Sequence, residues 1–160
     1  ENMDAEIIVN VQGDEPFVQR NALEKLLQVF DHNNVEKVQV ASLMQLMQDQ
    51  ENIDDPNYVK VAIDKNWNAL FFSRSVIPYP RSRETNINYY EHIGVYAFTK
   101  NILMSFTKWE QTPLEMAEKI ECLRYLENGI SMKMVLVDYM GVEIDTPEDL
   151  IKAANFISGT

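Results

Sequence analysis

Two aspartates follow segments that predict β-strands. Asp14 comes just after the apolar run 5–11, in a turn that contains glycine, and Asp145 comes after the apolar run 132–137 and before a predicted helix. Ligand sites of open α/β sheets lie at the carboxyl ends of their strands, and two carboxylates that meet there suit Mg²⁺, which takes oxygen ligands and keeps positions for substrate phosphates. Each aspartate has a structural alternative, an Asx turn for Asp14 and a helix N-cap for Asp145.

Arg74 and His92 are candidates for binding an anionic group. Arg74 ends the apolar run 70–73 and His92 begins the run 92–98, so both are expected at the rim of a sheet. Their side chains donate hydrogen bonds, which suits a carboxylate or a phosphate. The alternatives are a surface ion pair for Arg74 and a hydrogen-bonded structural imidazole for His92.

Two further side chains of interest stand in the segment 113–128. Glu121 is either a binding residue or the ion-pair partner of Arg124, three positions later on a predicted helix. Cys122 is interpreted as a small apolar side chain of the core. The sequence has no serine, histidine and aspartate order and no nucleophile elbow, so covalent acyl chemistry has no support.

The composition predicts one acidic domain over residues 1–160. Fourteen Lys and Arg against 25 Asp and Glu give a formal net charge of −11, which argues against nucleic-acid and anionic-membrane partners. One cysteine and two histidines exclude an intramolecular disulfide and a Cys/His zinc cluster, and this fits a reducing, cytoplasmic location. No apolar run approaches the ~20 residues of a membrane span.

The order of the first elements favours the α/β class. A strand over 5–11, an amphipathic helix over 21–30 and a strand over 38–43 form a β-α-β order, which is typical of a parallel sheet with a right-handed crossover. The alternating runs 58–63 and 69–73 predict an antiparallel hairpin. The other predicted elements are a strand over 92–98, helices over 100–109 and 113–128, a strand over 132–137 and a helix that starts at Pro147.

The sequence has no glycine-rich phosphate loop. Its five glycines are scattered, and neither GxGxxG nor GxxxxGK[ST] occurs. The chain begins with Glu1, a few residues before its clearest strand. If the protein binds a nucleotide, its phosphate loop is expected outside this sequence, and the chain is interpreted as a fragment.

A specific motif, VNVQGDEP, occupies residues 9–16. Six further blocks follow it along nearly the whole chain: NYVKV at 57–61, FSRSVIP at 72–78, HIGVY at 92–96, PLE at 113–115, ECLR at 121–124 and DTPEDL at 145–150. In this order the blocks resemble the 3-deoxy-manno-octulosonate cytidylyltransferase family, the CMP-Kdo synthetases of lipopolysaccharide synthesis. Generic sugar nucleotidyltransferases share the fold but not the FSR, HIGVY and DTPEDL blocks.

The resemblance implies a nucleotide-diphospho-sugar transferase fold, which is a Rossmann-like mixed sheet with an inserted antiparallel segment, here truncated at its N-terminus. It implies that CTP and 3-deoxy-manno-octulosonate (Kdo), an eight-carbon sugar acid, become CMP-Kdo and pyrophosphate, with Mg²⁺ as cofactor. Carried onto this sequence, it makes Asp14 and Asp145 the catalytic metal ligands and places Gln12 beside the nucleotide. The sugar-acid pocket is assigned to Arg74, His92, Tyr96 and Glu121.

Two departures from the family pattern leave alternatives open. The first strand of the family and its loop for the CTP phosphates are not in this sequence, so residues 1–160 are expected to be the carboxyl-terminal portion of a cytidylyltransferase domain, inactive alone. Cys122 replaces a glutamine of the family, so another acidic sugar, such as amino-Kdo, is an alternative substrate. The family dimerises through its middle antiparallel segment, which implies a homodimer. An alternative of another class is a non-catalytic dimerisation or sugar-binding module.

Overall fold

The computed structural model describes residues 4–13, 15, 17–30, 38–82, 86–138, 150–151 and 153–155. The strands in these ranges are β1 (Ile7–Val11), β2 (Val40–Met47), β3 (Lys60–Ile63), β4 (Ala69–Ser73), β5 (Tyr89–Thr99) and β6 (Met132–Val137). The helices are α1 (Arg20–Gln28), α2 (Gln50–Asp54), α3 (Lys100–Phe106), α4 (Pro113–Glu118) and α5 (Leu123–Glu127). Residues 150–151 and 153–155 are also helical, as the predicted terminal helix requires.

The described strands form one mixed sheet in which β5 pairs with three others. The order is β4-β3-β5-β2-β6, and β1 also pairs with β5. Strand β2 follows one edge of β5, and β1 and β3 share the opposite edge. The pair β2–β6 is parallel and the other pairs are antiparallel. The predicted α/β class and the predicted hairpin, formed by β3 and β4, are confirmed.

The β-α-β order at the start of the chain does not produce neighbouring parallel strands. Strand β5 lies between β1 and β2 and pairs antiparallel with both, so β1 and β2 run in the same direction without pairing with each other. The parallel partner of β2 is β6, which comes much later in the chain. Pairing between distant segments depends on tertiary packing, and the periodicity of each segment carries no information on it.

Helices cover the two faces of the sheet. Along β2, Val40 and Met44 point to the face covered by α3 and α5, whereas Ala41 and Leu43 point to the face covered by α1. Successive strand residues point to opposite faces, so a strand buried on both faces is a continuous apolar run. This explains why β2 is apolar along most of its length. Ser42 and Gln45 are its polar exceptions, and both are buried.

The single helix predicted over 113–128 is wrong, because the chain forms two short helices there. Helix α4 ends at Glu118, and Lys119 has a left-handed backbone with φ of 57°, which turns the chain before α5. The predicted stop is confirmed, since α5 ends at Glu127 and Gly129 has a φ of 74°. Ile120 and Cys122, in the turn between the two helices, are both buried.

Among the helices in the described ranges, none has the length and apolar character that a bilayer crossing demands.

Candidate functional site

A cavity of about 310 Å³ lies between the sheet and the helices α3 and α5. Alternate residues of β1 and β5 form its floor, because Ile8 pairs with Phe98 and Asn10 pairs with Tyr96 across the two strands. The complete lining is Ile8, Val9, Asn10, Gln12, Tyr96, Phe98, Leu103, Phe106, Glu121, Cys122 and Tyr125. The lining combines an aromatic wall with a carboxylate and two amides, which suits a ligand that has both hydroxyl groups and a carbon skeleton.

Stacked aromatic rings make one wall of the cavity rigid. The ring of Tyr125 stacks on Phe106 with a centroid distance of 4.5 Å and on Phe98 at 5.8 Å. The guanidinium of Arg124 lies 4.1 Å from the Phe106 centroid on a cation–π contact. These contacts hold α5 in place, and Glu121 and Cys122, which directly precede α5, line the cavity.

A buried ion pair joins the two short helices behind this wall. Arg124 donates from Nη2 and Nε to the carboxylate of Glu115, the second bond at 2.7 Å. The side chains are 10% and 3% exposed, so the pair is largely shielded from water. The hydrogen bonds from Arg124 lower the pKa of Glu115 and keep it ionised. Arg124 therefore forms its ion pair with Glu115, and not with Glu121 as the sequence alternative had it.

His92 is a buried residue in the middle of the sheet. The expectation that it begins a strand at the rim is wrong, because β5 begins at Tyr89 and His92 is 8% exposed. Its ring makes edge contacts with Phe72 and Tyr96, at centroid distances of 4.8 and 5.4 Å. Burial lowers the pKa of His92 to about 4, so the ring is neutral at neutral pH.

Ser42 determines which nitrogen of His92 carries the proton. The Ser42 hydroxyl lies 2.9 Å from Nε2 of His92, 2.9 Å from the Val95 carbonyl oxygen and 3.2 Å from the Ile93 carbonyl oxygen. Carbonyl oxygens only accept, so the single hydroxyl proton is directed at them. Ser42 must then accept a hydrogen bond from Nε2–H, which leaves Nδ1 of His92 as the acceptor nitrogen.

The carbonyls that Ser42 binds belong to a bulge in β5. Ser42 pairs with Tyr96 and Leu43 pairs with Ile93, so Gly94 and Val95 have no direct partner on β2. A bulge adds residues to one strand and redirects its side chains. Here it sets the spacing between His92 and Tyr96, the two sequence-predicted site residues of this strand.

Arg74 directly follows β4, as expected, and binds the main chain of two other segments. Its Nε donates to the Glu118 carbonyl oxygen at 3.0 Å, and its Nη1 donates to the Pro56 carbonyl oxygen at 2.9 Å. The Glu118 carboxylate in turn accepts from the Arg74 amide and the Ser73 hydroxyl. Arg74 is thus fixed at the junction of β4 and α4 and is not among the residues that line the cavity.

The structure brings together three of the residues assigned by resemblance. Gln12, Tyr96 and Glu121 line the cavity, and His92 contacts Tyr96 from the interior. Asp14 and Asp145 lie outside the described residues. Within the ranges that are described, no group of three or more His, Cys, Asp or Glu side chains is arranged to bind a metal.

Cys122 is both a core residue and a cavity residue. Its side chain is 1% exposed, and burial raises the pKa of the thiol above its usual range. A thiol kept protonated in this way is a poor nucleophile. This agrees with the interpretation of Cys122 as an apolar side chain, which here also shapes the cavity.

Sequence reasoning missed the polar residues that support the site. Ser42 and Glu15 are buried, as is Glu115, and none was selected as a candidate. One signal was available for Ser42, because a hydroxyl in an otherwise apolar strand needs a hydrogen-bond partner. Glu15 and Glu115 could not be identified, because their partners lie in other segments.

Comparisons with known proteins agree with these features. The family model described as "Cytidylyltransferase" matches residues 1–135. A relative named 3-deoxy-manno-octulosonate cytidylyltransferase from Christiangramia forsetii is 51% identical over 158 residues, which are 99% of this chain. One with the same name from Flavobacterium johnsoniae is 48% identical over 152 residues, which are 95% of this chain. The chain spans 64% and 62% of the lengths of these two relatives.

A solved structure has the same arrangement of elements. CMP:2-keto-3-deoxy-manno-octonic acid synthetase complexed with CTP superposes on this chain with a TM-score of 0.89 and 33% sequence identity. The superposition covers 98% of this chain and 64% of that chain.

Proposed function

The chain belongs to the cytidylyltransferase family, and we propose that its protein transfers CMP from CTP to the anomeric hydroxyl of Kdo, giving CMP-Kdo and pyrophosphate for lipopolysaccharide synthesis. The observation that carries the proposal is the cavity in which Gln12, from the QGDEP turn, meets Tyr96 and Glu121. The choice of Kdo is supported by the relatives of that name, which align with nearly the whole chain.

The reaction is a nucleotidyl transfer without a covalent enzyme intermediate. The oxygen of the anomeric hydroxyl forms a bond to the α-phosphorus of CTP. The bond from the α-phosphorus to the oxygen that bridges to the β-phosphate breaks, pyrophosphate leaves, and the hydroxyl proton passes to solvent. Phosphoryl-transfer enzymes achieve this mainly by positioning and by stabilising charge.

The residues around the cavity have separate roles in this proposal. Gln12 lies beside the nucleotide, and the Glu121 carboxylate accepts hydrogen bonds from sugar hydroxyls. Tyr96 forms the floor under the sugar and is itself supported by His92 at 5.4 Å. Arg74 contributes positive charge toward the sugar carboxylate from the end of β4, where two main-chain carbonyls hold its guanidinium.

Asp14 and Asp145 are the proposed ligands of Mg²⁺. Two carboxylates are the donor set that Mg²⁺ prefers, and a chain with a net charge of −11 needs a cation to bind two anionic substrates. When bound, the ion neutralises charge on the triphosphate during transfer.

Pyrophosphate release tests the function. The full-length protein is incubated with CTP, Kdo and MgCl₂, and pyrophosphate is measured by a coupled assay. We expect turnover that EDTA abolishes, and a loss of at least about a hundredfold in kcat for Asp14→Asn. The matched control is Asp54→Asn on the exposed surface of α2, which should keep the parental rate. No pyrophosphate from the parental protein contradicts the function, and parental turnover of Asp14→Asn contradicts the metal assignment.

The acidic sugar is tested with a panel. Cys122 lines the cavity at the position where the related family has glutamine, so the sugar contacts differ from the family pattern there. We expect Kdo to give a higher kcat/KM than amino-Kdo or sialic acid. A preference for amino-Kdo would identify the alternative substrate, and sugar binding without any turnover would favour the non-catalytic module.

The proposal includes a cytoplasmic homodimer. Trp67 and Leu70 of the β3–β4 hairpin are 41% and 62% exposed, and a second copy that covered them would bury apolar surface. Light scattering coupled to size exclusion should give twice the monomer mass. A Leu70→Glu variant should elute as a monomer, whereas the parental protein eluting as a monomer would contradict the dimer.

A further inference from the structure

One edge of β5 has a gap between two partner strands. The pairing with β1 ends at Val11 opposite Val95. On the same edge, β3 pairs at Lys60 opposite Glu91, and the Val59 carbonyl accepts the His92 amide at 2.8 Å. The amide of Gly94 therefore lies between the ends of β1 and β3, where neither strand accepts its hydrogen bond.

The carboxylate of Glu15 fills this gap. Its Oε1 accepts the Gly94 amide proton at an N–O distance of 3.0 Å. Glu15 is only 7% exposed, and its own amide donates to the Gln12 carbonyl oxygen at 3.2 Å, which closes the Gln12–Glu15 turn. A main-chain amide buried without an acceptor costs free energy, and the side-chain oxygen of Glu15 removes this cost.

Gly94 is the residue type that permits this contact. A Cβ atom at position 94 would lie 3.1 Å from Oε1 of Gln12 and 3.6 Å from Oε1 of Glu15. The bare backbone thus lets both side chains of the turn lie against β5. The same stretch of β5 carries Tyr96, so the turn and the cavity floor meet at this point.

We propose that Glu15 is a positioning residue that fixes the Gln12–Glu15 turn on β5 and so aligns the nucleotide side of the site with the sugar side. This inference rests on the proposed function. Gln12 belongs to the turn and Tyr96 to β5, so a shift between the two segments would misalign the sugar oxygen and the α-phosphorus. Misalignment of about 1 Å between reacting groups costs about a hundredfold in rate.

Amide hydrogen exchange at Gly94 tests the contact without any substrate. In Glu15→Ala the Gly94 amide should exchange about tenfold faster, because it loses its hydrogen-bond acceptor. Glu15→Gln retains a side-chain oxygen that accepts this proton, and it should restore exchange close to the parental rate. Glu24→Ala, which removes an exposed carboxylate of α1, is the matched control and should leave exchange at Gly94 unchanged.

Steady-state kinetics test the alignment. We expect Glu15→Ala to lower kcat about ten- to a hundredfold while KM for CTP and for Kdo changes less than about threefold, because alignment acts in the transition state. Glu15→Gln should recover kcat to within about fivefold of the parental value. A purely structural role would lower the melting temperature without changing kcat of the folded fraction. Gly94→Ala changes the strand side of the same contact. Its added Cβ atom should displace the side-chain amide of Gln12 and lower kcat.

The outcomes separate this inference from the proposed function. Unchanged exchange at Gly94 in Glu15→Ala, parental kcat in that variant, or failure of Glu15→Gln to restore both quantities overturns the inference. If Glu15→Ala does not fold, parental kcat in Gly94→Ala overturns it and a tenfold loss supports it. If the parental protein releases no pyrophosphate, the proposed function fails, and the exchange measurement still decides whether Glu15 anchors the turn.

Discussion

At the scale of single residues, the site depends on a histidine that stays neutral. His92 donates from Nε2 to Ser42 and is enclosed by Phe72 and Tyr96, so a charged ring would lack solvation. A neutral imidazole does not attract the sugar carboxylate by charge. Its role in the proposed site is therefore to hold the ring of Tyr96 and to offer Nδ1 as an acceptor.

The low pKa of His92 predicts that the folded protein is less stable in mild acid. Its pKa is about 4 in the folded protein and 6.5 in the usual case, so the unfolded chain binds the proton first as the pH falls. Above about pH 6.5 the neutral His92 does not reduce the free energy of unfolding. Between about pH 6.5 and pH 4 the free energy of unfolding falls progressively, by up to about 3 kcal/mol. Urea unfolding followed by tryptophan fluorescence at several pH values measures the free energy of unfolding across this window.

The control for this prediction is His92→Gln, which keeps a donor toward Ser42 but does not titrate. Its free energy of unfolding should fall less than that of the parental protein between pH 6.5 and pH 4. Glu91 has the opposite effect on the free energy of unfolding. Burial raises the pKa of Glu91, so its protonation in acid removes a buried charge and stabilises the folded protein. Since Glu91 is present in both proteins, the difference between them isolates His92. Equal losses in the two proteins would show that His92 is not the titrating group.

At the scale of elements, the break between α4 and α5 shapes the cavity. Lys119 adopts a left-handed backbone with φ of 57°, and its amide donates to the Glu115 carbonyl oxygen at 2.8 Å. This conformation costs a residue with a Cβ atom about 1–2 kcal/mol of conformational free energy, whereas glycine adopts it without this cost. This turn leads into the segment before α5, in which Glu121 and Cys122 line the cavity.

A glycine at position 119 should therefore stabilise the protein. We expect Lys119→Gly to raise the free energy of unfolding by about 0.5–1 kcal/mol, since the relief of strain exceeds the added entropy of the unfolded chain. The measurement is the midpoint of urea unfolding at constant slope. Lys108→Gly, at a position without a positive φ, is the control and should not stabilise. An unchanged or lower midpoint for Lys119→Gly would show that the Lys119 side chain compensates for the strain.

At the scale of the whole molecule, two apolar clusters share one sheet. Leu26 of α1 lies in the cluster on one face, and Leu123 of α5 lies in the cluster on the other, each fully buried. Strands β2 and β6 contribute alternate residues to both clusters. Loss of either cluster therefore removes support from the same strands.

This shared sheet predicts cooperative unfolding as one domain. Leu26→Ala and Leu123→Ala should each lower the free energy of unfolding by about 2–5 kcal/mol, because each leaves a cavity in a packed core. Circular dichroism and tryptophan fluorescence should give one coincident transition in each variant. Separate transitions, or a change confined to one probe, would show that the two faces unfold independently and that residues 1–160 are not a single domain.

Much of the local structure could be predicted from the sequence. The strand at Ile7–Val11, the hairpin of β3 and β4 and the end of α5 near Gly129 follow from periodicity and turn residues that act over a few positions. The helix break at Lys119 could not, because lysine has no preference for a left-handed backbone. The helix that precedes it is held by tertiary contacts, of Glu118 with Ser73 of β4 and of Glu115 with Arg124.

The sequence by itself determined the class of the elements, the acidic charge and the motif blocks that placed Gln12, Tyr96 and Glu121 in one proposed site. These properties reside in residue types and short spacings, which can be read without coordinates. Only the tertiary structure decided that β5 separates β1 from β2, that His92 is buried and neutral, and that Glu15 binds the amide of Gly94. Each of these depends on contacts between segments distant in the chain, because burial and hydrogen bonding are properties of the assembled sheet.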